Sequence, residues 1–150
     1  MGIIKGLVIQ YTESLSLVRL YVMDAIRSIL LLVPGVIHLL PITGVLGGPR
    51  LAALYGIGIS DNNLLILMQH RAILLGILGL FLIVAAFRSA LQPLAIAAGL
   101  ISTLSYTALA AFNGQFNDSL QRVLYVDIFA IICLLIAAAL VLWQPTSKRA

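Results

Sequence analysis

Four apolar stretches, residues 28–46, 63–87, 91–112 and 119–143, take up most of this chain. Each is near the length of about 20 residues that carries a helix across a bilayer. In lipid every backbone polar group must be satisfied within the protein, and for a single span that means a helix. The expected fold is therefore all-α, an integral membrane four-helix bundle forming one domain over residues 1–150. Composition agrees, with 9% charged residues where a soluble domain carries about 25%.

The segments outside the spans have patterns of their own. Residues 1–23 hold Lys5, Glu13 and Arg19 and do not read as a span. Their apolar positions, Ile4, Leu7, Val8, Tyr11, Leu15, Val18 and Val22, recur at helical spacing. This predicts an amphipathic helix, lying in the membrane interface or packed on the bundle. No cleavable signal peptide is expected, because the apolar run after Lys5 ends by Gln10. Arg27 can snorkel to the headgroups and pair with Asp24 three residues earlier. Pro34 and Pro41 each remove a backbone donor and predict kinks on either side of His38. Between spans one and two, Gly48-Pro49 is a helix start and Gly56 a stop, which predicts a short surface helix. Ser60, Asp61 and Asn62 offer caps for the second span. Ala72, Gly76 and Gly79, and likewise Ala95, Gly99 and Ser102, form small-residue faces that let helices approach closely.

The net charge is +4, from nine basic and five acidic residues, the basic ones spread along the chain without a cluster larger than Lys148-Arg149. That pattern suits topology signals and lipid headgroup contacts rather than nucleic acid. Lys5, Arg19, Arg27, Arg88, Lys148 and Arg149 fall on one side of a four-span bundle, Arg50 and Arg122 on the other. The positive-inside rule then puts both termini in the cytoplasm of a bacterial inner-membrane, multi-pass protein. Cys133 stands alone in an apolar run and reads as a small buried hydrophobe.

The chemistry is concentrated in a few ionisable residues inside the spans, where each is costly and needs a partner. His70 and Arg71 lie within span two, His38 within span one and Asp127 within span four. At about 1.5 Å per residue, His38, Arg71 and Asp127 sit roughly 10 to 13 Å in from the outer ends of their spans. The four residues are expected to converge as a buried polar cluster, with Arg71 and Asp127 in a charge-assisted contact. The residues leave several readings open. They are a structural lock, a pocket for a lipid or other hydrophobic ligand, a metal or haem site from His38, His70 and Asp127, and a proton relay. The metal set lacks a paired spacing, and no metal or cofactor is expected. Asp118 and Arg122 form a weaker outer pair. Arg50 and Tyr55, after Gly47-Gly48-Pro49, are candidates for contact with a lipid headgroup. There is no HExxH, GxSxG or Walker motif, and no extramembrane segment large enough for a catalytic domain.

The stretches His38-Leu-Leu-Pro-Ile-Thr-Gly-Val-Leu-Gly, Arg50-Leu-Ala-Ala-Leu-Tyr-Gly and Gln69-His-Arg-Ala-Ile-Leu-Leu-Gly resemble a group of small, uncharacterised bacterial inner-membrane proteins. Some of that group carry the name phosphopantetheine adenylyltransferase. This chain has no HxGH and no nucleotide-binding strand–loop–helix, so that activity is not expected of it. The overall plan is similar to DoxX-like four-helix membrane proteins. The expected role is a non-enzymatic membrane component or a binder of a hydrophobic ligand. The alternatives are a small oligomeric proton-coupled transporter, and a membrane enzyme of lipid or quinone chemistry using His38 or His70. The expected partners are membrane lipids and a second copy of the chain or another membrane protein.

Overall fold

In a computed structural model, residues 2–143 are described, without the side chains of residues 2–9 and 11–13. Five α-helices follow one another: α1 (Gly2–Leu39), α2 (Gly48–Tyr55), α3 (Asn62–Ala86), α4 (Gln92–Asn113) and α5 (Asp118–Leu142). Short 3₁₀ helices join α1 to α2 (Leu40–Leu46) and α3 to α4 (Ser89–Leu91). The described residues contain no strand. Four helical stretches are long and apolar enough to cross a membrane: Ser14–Leu46, Asn62–Ala86, Ser89–Asn113 and Asp118–Leu142. The chain is thus an all-α bundle of four candidate spans, with α2 as a short helix between the first two. Around the bundle α1 packs on α3, α3 on α4, α4 on α5, and α5 back on α1.

Local chemistry explains the element ends. The Asp61 carboxylate caps α3, accepting from the Asn63 amide at 2.7 Å, and Asn117 caps α5, accepting from Leu120 at 2.9 Å. Pro49 stands in the first turn of α2, and Gly56 closes that helix at a left-handed φ of 66°.

The N-terminal segment is helical but is not a separate element. It is continuous with span one in a single 38-residue helix, roughly 57 Å long, against a hydrocarbon core of about 30 Å. Leu15, Leu17, Val18, Tyr21 and Val22 are exposed, so this part of α1 does not pack on the bundle. The side chains of Ile4, Lys5, Leu7, Val8, Tyr11, Thr12 and Glu13 lie outside the described residues, as do Lys148 and Arg149. The helix also runs through Pro34 and changes to 3₁₀ geometry only at Leu40, next to Pro41.

The core fills the half of the bundle towards Arg88. Leu31, Leu82, Ala85, Ala95, Leu134 and Ala137 are all fully buried there. A Cβ added to Gly79 would meet the Gly35 carbonyl oxygen at 2.7 Å, and one added to Gly35 would meet the Gly79 oxygen at 3.1 Å. The α1 and α3 backbones therefore touch, and no side chain fits between them. A Cβ at Gly99 would likewise reach Leu134 at 2.9 Å. The small-residue faces read from the sequence are the packing faces of α3 and α4.

Arg27 departs from the expectation of a headgroup arginine. It is buried at the Arg88 end of the core, beside Asp24, with which it forms an ion pair, and its Nε donates to the Met23 carbonyl at 3.3 Å. Its helix face explains this, since Arg27, Leu31, Pro34 and His38 follow at helical spacing and all four are buried.

Candidate functional site

The inward faces of the helices lead away from the core towards the polar residues. On α5, Ala137, Leu134 and Ala130 are buried, and the next positions along that face are Asp127 and Val123. On α3, Leu82 and Leu78 lead to Leu75 and Arg71. On α4, Ala95 and Gly99 lead to Ser102 and Tyr106, and on α1, Leu31 leads to His38. At this end the side chains do not close on one another. They surround a cavity of about 780 Å³, lined by His38, Tyr55, Arg71, Tyr106 and Asp127 among aliphatic neighbours such as Leu75 and Val126.

Arg71 is held by aromatic faces. Its guanidinium carbon lies 5.3 Å from the centre of the Tyr55 ring and 5.6 Å from that of Tyr106. The negative face of an aromatic ring attracts a cation, most strongly when the cation is away from water. The Tyr106 hydroxyl donates to the Leu120 carbonyl at 3.3 Å, which anchors that ring to α5. Tyr55 is buried, and burial raises its phenol above the usual range, with the Arg71 charge acting the other way. It therefore stays a neutral hydroxyl.

The expected ion pair between Arg71 and Asp127 is not formed. Both line the same cavity. Among the described residues, however, the one ion pair within 4.0 Å is Arg27–Asp24. The two tyrosines hold the guanidinium instead, and Asp127 has no hydrogen-bond partner among the described residues. The weaker outer pair differs too: Arg122 donates to the Asp118 backbone oxygen at 3.4 Å and to Ser119 Oγ at 3.1 Å, not to the carboxylate.

His38 is buried, and its Nδ1–H donates to the Pro34 carbonyl at 2.8 Å. That bond fixes the ring and leaves Nε2 without a hydrogen-bond partner among the described residues. His70 does not join the cluster. Successive helical residues point about 100° apart, so His70 and Arg71 cannot both face inward. His70 falls on the outer stripe with Ile73, Ile77 and Leu80, all exposed. Among the described residues no three His, Cys, Asp or Glu side chains come together. A metal set of His38, His70 and Asp127 is therefore not assembled, and an acid–base role within the cavity falls to His38 alone of the two histidines.

Tyr55 faces the cavity rather than the outer surface, whereas Arg50 is exposed and does not line it. The helix that carries them is pinned across the cavity by Asn117, whose Nδ2 donates to the Tyr55 carbonyl at 2.9 Å and to Gly56 at 3.2 Å. One amide thus caps α5 and ties down α2. Tyr106 and Asn117 were not singled out by the sequence reading. Tyr106 was within reach of it, because it continues the face Ala95, Gly99, Ser102 at the same spacing. The tie from Asn117 to Tyr55 spans 62 residues and has no local signal.

No family model, no curated protein and no solved structure matches the chain.

Proposed function

We propose that this protein is a non-enzymatic binder of an amphipathic ligand within the bacterial inner membrane, with both termini in the cytoplasm and the cavity near the outer face. The observation that carries this reading is the cavity. Its volume of about 780 Å³ falls in the range of roughly 300 to 1,000 Å³ usual for small-molecule sites. Its walls are mostly apolar, from aliphatic and aromatic side chains, with polar groups from separate helices that include Ser102, Ser105, Asn113 and Arg122 beside His38, Arg71 and Asp127. Such a lining solvates an apolar body and gives a polar end three anchoring points, His38, Arg71 and Asp127. Membrane lipids surround the site and are the nearest source of such molecules.

Native mass spectrometry of the protein released from nanodiscs tests the reading. The wild type retains an amphiphile through delipidation, and Ala110→Phe, which fills the cavity from α4, loses it. Equal retention by both proteins, or retention by neither, contradicts the reading.

A second reading, a small proton-coupled transporter, draws support from a different observation. Such a mechanism needs an acid free to exchange a proton for its cargo, and Asp127 has no direct ion-pair partner among the described residues. Proton uptake on ligand release, abolished by Asp127→Asn, distinguishes transport from simple binding.

A further inference from the structure

Three charged side chains line this cavity, Arg71, Arg122 and Asp127. Arg122 is exposed and donates to the Asp118 backbone oxygen and to Ser119 Oγ, which leaves Arg71 and Asp127 as two opposite charges that do not satisfy each other. Arg71 comes from α3, its guanidinium carbon 5.3 Å and 5.6 Å from the centres of the Tyr55 and Tyr106 rings. Asp127 comes from α5 and has neither an ion pair nor a hydrogen bond among the described residues. Both face the same space. A charge within a span is normally neutralised by a partner, and here each charge stops short of the other. The tyrosines contribute to the separation. They hold the guanidinium by cation–π contact, and its N–H groups, which recognise carboxylate and phosphate, have no acceptor among the described residues. His38 adds Nε2, a hydrogen-bond acceptor in the neutral ring, at the same level.

We infer that the ligand class is a zwitterionic amphiphile, its anionic group on Arg71, its ammonium group on Asp127 and its chain along the aliphatic wall. This rests on the ligand-binding reading above and specifies its headgroup. A purely anionic headgroup leaves Asp127 unpaired and brings a second negative charge near it. A purely cationic one does the same to Arg71. A headgroup carrying both charges satisfies both residues at once and brings no net charge into the membrane. The same headgroup chemistry occurs in ethanolamine phospholipids and in acylated amino acids.

The test uses the full-length protein in nanodiscs of anionic lipid, with competing probes of equal chain length read by native mass spectrometry. The probes are lysophosphatidylethanolamine and Nε-acyl-lysine, both zwitterionic, lysophosphatidic acid, which is anionic, and an alkylamine, which is cationic. Wild type is expected to favour the zwitterions over either singly charged probe by about tenfold or more. Asp127→Asn should shift preference towards lysophosphatidic acid, and Arg71→Gln towards the alkylamine. The readout is a ratio within each variant, so partial loss of folded protein does not mimic it. Preference between the two zwitterions assigns the source, phosphate for a lipid and carboxylate for an acylated amino acid. If all headgroups bind alike and Ala110→Phe displaces them, the zwitterion inference is overturned while the cavity reading stands. If no probe binds, both fall.

Discussion

The two halves of this bundle are made from the same four helices and are built in opposite ways. Towards Arg88, glycine and alanine bring backbones into contact, and leucines fill what space remains. Towards the other end, each inward face carries a larger or polar side chain, such as His38, Arg71, Tyr106 or Asp127. A 3₁₀ segment and α2 cross over that end, and a cavity remains. Close packing of this kind resists changes of volume and shape. The other half forgoes that density at the level where the ionisable residues lie. The contrast sets a close-packed end against an open, polar end along one axis of the molecule.

The largest expected effect breaks the tight half. Gly79→Leu places a side chain where the Gly35 oxygen already sits 2.7 Å from the ideal Cβ position. Neither backbone can yield without separating α1 from α3, so a loss of about 3 kcal/mol or more is expected, measured as unfolding free energy in bicelles. The same deletion made in each half sharpens the contrast. Leu82→Ala removes a fully buried side chain and should cost about 2 to 5 kcal/mol. Leu75→Ala, on the cavity wall, should cost less than about 1 kcal/mol, because little packed volume is lost. Equal costs would mean that the open half is packed after all. A smaller effect is expected at the cover. Asn117→Ala removes the α5 cap and should cost about 1 kcal/mol. It also releases Tyr55 and Gly56, so amide exchange in residues 48–56 should quicken while α3 and α4 stay protected. Unchanged exchange in α2 would show that Asn117 does not pin it.

The sequence made the bundle readable because spanning lipid leaves so few options. Apolar length located the four helices, and Pro49, Gly56 and Asp61 marked the ends of the connecting elements. The small-residue faces around Gly79 and Gly99 were also legible, since their spacing is the helical repeat itself. The site was legible in depth but not in direction. Counting residues put His38, Arg71 and Asp127 at one level, and they do line one cavity. The same count paired His70 with Arg71, although neighbours on a helix diverge by about 100°. The Arg71–Asp127 contact was inferred because each lacked another ionisable partner. Aromatic faces are partners too, and Tyr55 and Tyr106 reach Arg71 from α2 and α4 across distances that no local pattern records. The continuity of α1 was missed for a related reason: the charges of Lys5, Glu13 and Arg19 argue against a span, but they do not stop a helix.

The most direct measurement asks whether the Arg71–Asp127 layer holds the bundle together or waits for a ligand. A double-mutant cycle of Arg71→Gln and Asp127→Asn, read as unfolding free energy of the delipidated protein, separates the two. Charges that face a shared cavity without touching predict near-additive effects, with a coupling within about 1 kcal/mol. A structural ion pair would instead give single-variant losses of about 3 to 5 kcal/mol, each relieved by the second substitution, and that result would contradict a binding cavity at this end of the bundle.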